Sequence, residues 1–223
     1  MNFVKTTLYI SICIQLIGLI MGTIAQFKPL PDDKRLLKDV MTMENIVQLI
    51  EFTFYISISI FVSNLIDTDI AKFRYYDWVL TTPIMLLTTL IFFVYNNKTG
   101  NKDGEKKEND LFGIIKREKE SIIKIFLSNL GMLCVGYLQE IGKLDIYYST
   151  LVGFGFLFYS FYKLYQYVGD FESKILFWIM FVLWSKYGFA AMMKNEYKNT
   201  MYNILDIFSK NFYGIFLAYK ILF

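Results

Sequence analysis

Histidine is absent from this chain of 223 residues. That removes the commonest metal ligand and the commonest proton shuttle at neutral pH, so any proton relay must run through Asp, Glu or a lysine imine. Cysteine is scarce: Cys13 and Cys134 lie in apolar runs and read as buried thiols packed as small hydrophobes, not as a disulfide. Proline occurs three times. The net charge is only +3, too small to argue for nucleic acid as a partner. What abounds is apolar matter: 55% hydrophobic and 19% aromatic residues, with a mean hydropathy of +0.39. No soluble domain of this size needs so much, so composition places the chain in a lipid bilayer.

Seven apolar segments of near-spanning length can be read, approximately 5–26, 43–65, 71–95, 120–139, 145–169, 172–194 and 200–222. They predict an all-α membrane protein, a bundle of seven transmembrane helices forming one domain over 1–223. The first segment lacks a small-residue cleavage site and is read as a retained helix, not a signal peptide. Lys and Arg concentrate in the connector 26–42 (Lys28, Lys34, Arg35, Lys38) and in the one after the third segment (Lys98 to Lys119). The positive-inside rule therefore predicts an extracellular N-terminus and a cytoplasmic C-terminus. The polar stretch 96–110 is expected to be a loop.

Charges inside apolar segments are expensive and need a partner or a covalent role. In the seventh segment Lys210 follows Asp206 by four residues, on the same helical face. A buried lysine beside a carboxylate is the usual seat of a Schiff base, though a structural ion pair would look the same. In the third, Arg74 and Asp77 are one turn apart, Thr81 shares the face of Asp77, and Pro83 should kink the helix. Asp77 would lie roughly 10 Å inside the membrane. Arg74 is positioned to hold its charge. Two Asp, one Lys and one Arg make a balanced quartet that reads as a counter-ion complex. Trp78 and Trp184 suit the flat walls of a pocket for a planar apolar ligand, although ordinary aromatic packing would need the same residues.

The runs Arg74-Tyr75-Tyr76-Asp77-Trp78, Thr81-Thr82-Pro83, Trp184 with Tyr187, and Leu205-Asp206 with Lys210 resemble the motifs of microbial (type 1) rhodopsins, on the right helices and in the right order. The resemblance covers the whole chain. It implies all-trans retinal bound to Lys210 as a protonated Schiff base, with Asp77 and Asp206 as counter-ions. It also implies a pocket lined by Trp78, Thr81, Thr82, Trp184 and Tyr187, and by the stretch Asn129-Leu130-Gly131-Met132 with Gly136 on the fourth helix. Gly188 stands where the family usually has proline. The family are photoreceptors and transporters, so no enzyme is implied.

Proton-pumping members carry a carboxylic acid seven residues after the Thr81 position; here that residue is Thr88. At the outer end of the seventh helix, where pumps keep glutamates, stands Lys198. Both weaken a pump reading. On the second helix Glu44, Gln48, Glu51 and Tyr55 form a polar stripe on one face, with Glu51 expected about two turns below the cytoplasmic surface. Glu44 could instead be a helix-start residue at the interface. Ser11 and Asn203 extend the stripe, and carboxylates alternating with neutral hydrogen-bonding groups suit a cation path. Ser11, Glu44, Glu51 and Asn203, together with the short chain, resemble the first group of viral rhodopsins, light-gated cation channels from giant viruses. That implies monovalent cations as partners, with Arg74 beside their path, and a multi-pass protein of the host cell membrane. The rival expectations are an outward proton pump and a photosensor. The oligomeric state stays open, a homo-oligomer included.

Overall fold

The outward-facing side chains are those that water rejects. Ile17, Ile20, Leu151, Trp178 and Ile179 are exposed, whereas Arg74, Asp77, Glu51, Asp206 and Lys210 are at most 2% exposed. This arrangement, apolar outside and charged within, fits lipid surroundings. The computed structural model describes residues 3–31, 34–61, 67–100 and 110–223.

The elements are α1 (Phe3–Phe27), α2 (Arg35–Phe61), α3 (Asp67–Gly100), α4 (Leu111–Arg117), α5 (Lys119–Glu140), α6 (Ile146–Tyr165), α7 (Phe171–Ala191), α8 (Asn195–Asp206), a π-turn (Ile207–Asn211) and α9 (Phe212–Leu222). The short α4 is a surface turn, capped by the Asp110 side chain, which accepts from Gly113 N–H. α8, the π-turn and α9 together make one seventh span. Successive spans touch, and α1 closes the ring by packing on α2, α8 and α9. The chain is a seven-helix bundle.

Several boundaries move from those read in the sequence. α2 starts at Arg35, eight residues before the segment 43–65 begins, so Glu44 lies well inside the helix and not at its start. α3 runs unbroken through Pro83 and on through the polar residues 96–100. Residues 101–109 of the expected loop, and 62–66 at the end of the expected second segment, lie outside the described residues. Among the described residues four helices are long and apolar enough to cross a membrane by themselves: α1, α5, α7 and the stretch Ile70–Asn97 of α3. Charged and amide side chains on its inner face lower the hydropathy of α2. The cysteines also differ from expectation: Cys13 and Cys134 are free and exposed, on the surface that lipid would cover.

Candidate functional site

Lys210 lies on the π-turn, where the chain makes one bond of longer reach, Phe212 N–H to Ile207 C=O. Such turns are rare and cluster at functional sites. The Lys210 carbonyl accepts a hydrogen bond from Gln48 Nε2 on α2 (3.0 Å). Its side chain reaches α3, where Nζ meets Asp77 Oδ2 at 2.5 Å. Asp206 Oδ1 is 3.7 Å from Nζ and Glu51 Oε1 is 3.8 Å away. Three carboxylates thus face one ammonium in a dry interior, where charges persist only when paired.

Asp206 is held chiefly by others. Tyr55 Oη donates to its Oδ2 (2.5 Å) and Tyr187 Oη to its Oδ1 (2.6 Å). Arg74 Nη1 lies 3.4 Å from Oδ2 and also donates to Tyr55 Oη (2.8 Å). Arg74 therefore serves Asp206 and not, as its spacing suggests, Asp77. Arg74 Nη2 donates to Asn203 Oδ1. Thr81 shares the turn of Asp77, but its hydroxyl donates to the Asp77 main-chain carbonyl (2.9 Å).

From Lys210 a cavity of about 110 Å³ runs between aromatic walls. Trp78, Thr82, Met132, Gly136, Trp184 and Tyr187 line it, as read from the sequence; Thr81 does not. The Trp78 ring stands edge-on to Tyr187 (5.5 Å, 90°) and to Tyr202 (5.0 Å, 87°). Asn129 fixes one wall by donating to Thr82 Oγ1 (2.8 Å). Two neighbours depart from expectation. Leu130 is exposed, and Gly131 faces Phe156 of α6, whose ring would lie 2.9 Å from an added Cβ. At Gly136 a Cβ would stand 2.6 Å from Tyr75 Oη, and at Gly188 it would meet the Phe154 ring at 2.9 Å. A side chain at either position would force these aromatics to move. The slot begins at an amine paired with a carboxylate and continues as a flat apolar channel. Its donor set fits a polyene aldehyde.

The polar stripe of α2 faces the interior along its whole length, as Glu44, Gln48, Glu51 and Tyr55 are each 0% exposed. Ser11 Oγ donates to Asn203 C=O (2.9 Å), which joins α1 to α8. Asn203 Nδ2 donates back to Thr7 Oγ1 (2.8 Å) and Val4 C=O (3.1 Å). At the other end Thr88 Oγ1 donates to the Glu44 carboxylate. Glu51 is closer to the lysine than the sequence suggested; it belongs to the charge complex and is not a separate station two turns from the surface. Lys198 is tied to Glu140 (2.7 Å) in a buried pair. Sequence reasoning overlooked that pair, along with Tyr202, Asn211 and the π-turn. Glu140 at the end of an apolar run was the available signal; for a single tyrosine in so aromatic a chain there is none.

The model of the bacteriorhodopsin-like protein family matches residues 2–222. The chain belongs to that family. Membership implies a retinal chromophore held by a lysine Schiff base, and an integral, multi-pass protein of the bilayer. No curated protein matches by sequence alone. Among solved structures, the viral rhodopsin OLPVRII superposes with a TM-score of 0.84 at 26% identity, over 99% of both chains. A blue light-absorbing proteorhodopsin from Med12 gives 0.72 at 18% identity, over 99% of this chain and 98% of that one. The light-driven proton pump of Coccomyxa subellipsoidea gives 0.71 at 15% identity, over 98% and 97%. This microbial rhodopsin therefore resembles a viral member in sequence and fold, and the other two in fold.

Proposed function

We propose that this rhodopsin is a light-gated channel for monovalent cations, with all-trans retinal bound through Lys210, as in the first group of viral rhodopsins. The chromophore supplies light absorption and a change of shape. The protein's own groups do the rest. Asp77 sits against Nζ and is placed to stabilise, and to receive, its proton. Tyr55, Tyr187 and Arg74 hold Asp206 in place as the second counter-ion. The observation that carries the channel reading is the buried polar file of Ser11, Asn203, Glu51, Gln48 and Glu44, which lies between α1, α2 and the seventh span. Carboxylates set among neutral hydrogen-bonding groups offset the dehydration of a passing cation.

A second reading, an outward proton pump, draws on one contact. The Glu44 carboxylate touches Thr88, the position where pumps keep their proton donor, so Glu44 brings an acid to that place from another helix. Photocurrents in a voltage-clamped cell separate the two. A channel current reverses near the cation equilibrium potential, and its reversal shifts when external sodium is replaced by a bulky organic cation. A current that stays outward at all voltages would replace the channel by the pump, and no current would leave a photosensor.

The counter-ion assignment has its own test. Asp77→Asn removes the charge nearest Nζ, which stabilises the ground state of the pigment more than the excited state. The visible band is expected to move to the red. An unchanged spectrum would transfer the main counter-ion role to Asp206, the next carboxylate at 3.7 Å.

A further inference from the structure

Between Glu44 and Glu51 the inner face of α2 carries Gln48, and its surroundings are unusual. Its side chain is wedged between two glycines: a Cβ on Gly18 of α1 would stand 3.1 Å from Oε1, and one on Gly214 of α9 would stand 2.9 Å from Nε2. The donor end is engaged by the Lys210 carbonyl at 3.0 Å. The acceptor end is not: Gln48 Oε1 is buried without a hydrogen-bond partner. The same is true of Asn211 Oδ1, which converges on the same spot, 3.4 Å from the Gly18 Cβ position. Within one helical turn lie further buried polar atoms without partners, both oxygens of Glu51 and both amide atoms of Gln15. Unmade hydrogen bonds in a dry interior are costly, so this seam calls for an occupant.

The chemistry of the seam says which. It offers five unpartnered acceptor oxygens, on Gln48, Asn211, Glu51 and Gln15, against one unpartnered donor, Gln15 Nε2. The neighbouring complex of Asp77, Asp206 and Glu51 with Lys210 and Arg74 has one carboxylate more than it has cations. An acceptor-rich site with a surplus carboxyl group and neutral amide oxygens suits a hard, partly dehydrated monovalent cation.

We infer that the carboxamide oxygens of Gln48 and Asn211 form a cation subsite between α1, α2 and the π-turn, and that the Gln48–Lys210 main-chain hydrogen bond is its gate. The inference rests on the channel reading above. The carbonyl that Gln48 holds belongs to the residue that carries the chromophore. A shift of the Lys210 main chain on illumination breaks this bond, frees Gln48 to turn, and opens the stretch between Glu51 and Glu44. Gly18 and Gly214 provide the room in which it turns.

Gln48→Leu keeps the side-chain size and removes the carboxamide. It is expected to form pigment with its visible band in place and to lower the photocurrent about tenfold, the rate equivalent of losing one hydrogen-bonding oxygen. Gln48→Glu keeps the oxygen and replaces the donor with a second oxygen, so it should conduct in the dark or close slowly after a light pulse, with an altered sodium-to-potassium permeability ratio. It decides the matter if Gln48→Leu does not fold. Wild-type current, closing rate and permeability ratio in the variants would overturn the inference. If the wild-type protein carries no reversing current, the channel reading itself fails, and infrared light-minus-dark spectra then decide the subsite. A side-chain amide band that differs between sodium and N-methylglucamine buffers and vanishes in Gln48→Leu supports it; its absence overturns it.

Discussion

Lys210→Ala loses its visible absorption band altogether. An imine needs a primary amine, and among the described residues no other lysine reaches the cavity. Lys186, the nearest competitor in sequence terms, is exposed on α7, and Lys198 is paired with Glu140. The substitution also leaves Asp77, Glu51 and Asp206 facing one another without the ammonium. Breaking a buried pair in this way costs about 3–5 kcal/mol, so a lower yield of folded protein is expected as well. Lys210→Arg separates the two effects. It restores a positive charge, and with it much of the yield, but a guanidinium forms no imine and the protein stays colourless. A visible band in either purified variant, reconstituted with all-trans retinal, would remove Lys210 as the attachment point.

Glu51→Ala loses most of the photocurrent while still forming pigment. The carboxyl group is wholly buried beside Lys210, and neither of its oxygens has a hydrogen-bond partner, so both stay open to a passing cation. In a low-dielectric interior, removing one such charge raises the barrier for a cation by far more than it would in water. Because the carboxyl group approaches Lys210 to 3.8 Å, a shift of the visible band should accompany the loss of current. Glu51→Gln, which keeps the shape, controls for packing. Glu44→Ala lies two helical turns away and should cost less current, with no change of colour. Full, voltage-reversing current in Glu51→Ala with normal pigment yield would take α2 out of the path.

Most of the site was legible because its residues break a local rule. A lysine, an arginine and two aspartates in spanning apolar runs have few explanations, and helical spacing alone put Asp206 and Lys210 on one face. The stripe of Glu44, Gln48, Glu51 and Tyr55 was readable for the same reason. Local spacing also misled. It assigned Arg74 to Asp77, three residues along the same helix, whereas the guanidinium crosses to Asp206 on another. It placed Glu44 close to a helix start, because Arg35, Lys38, Asp39 and Thr42 interrupt the apolar pattern before it and conceal a helix that tertiary packing extends. It buried two cysteines that lipid-facing helices expose, since apolar neighbours look alike on either side of a spanning helix.

By itself the sequence determined the class, the helical order, the shared face of Asp206 and Lys210 and the polar face of α2, because each follows from residue type and a period of 3.6 along one helix. Only the tertiary structure decided which carboxylate is nearest the lysine, who holds Asp206, and that Glu51 joins the charge complex. It also decided that a π-turn hands the Lys210 carbonyl to Gln48. These are contacts between helices far apart in the chain, and they depend on how each span is rotated and on a one-residue bulge in its hydrogen bonding, neither of which leaves a periodic trace in the sequence.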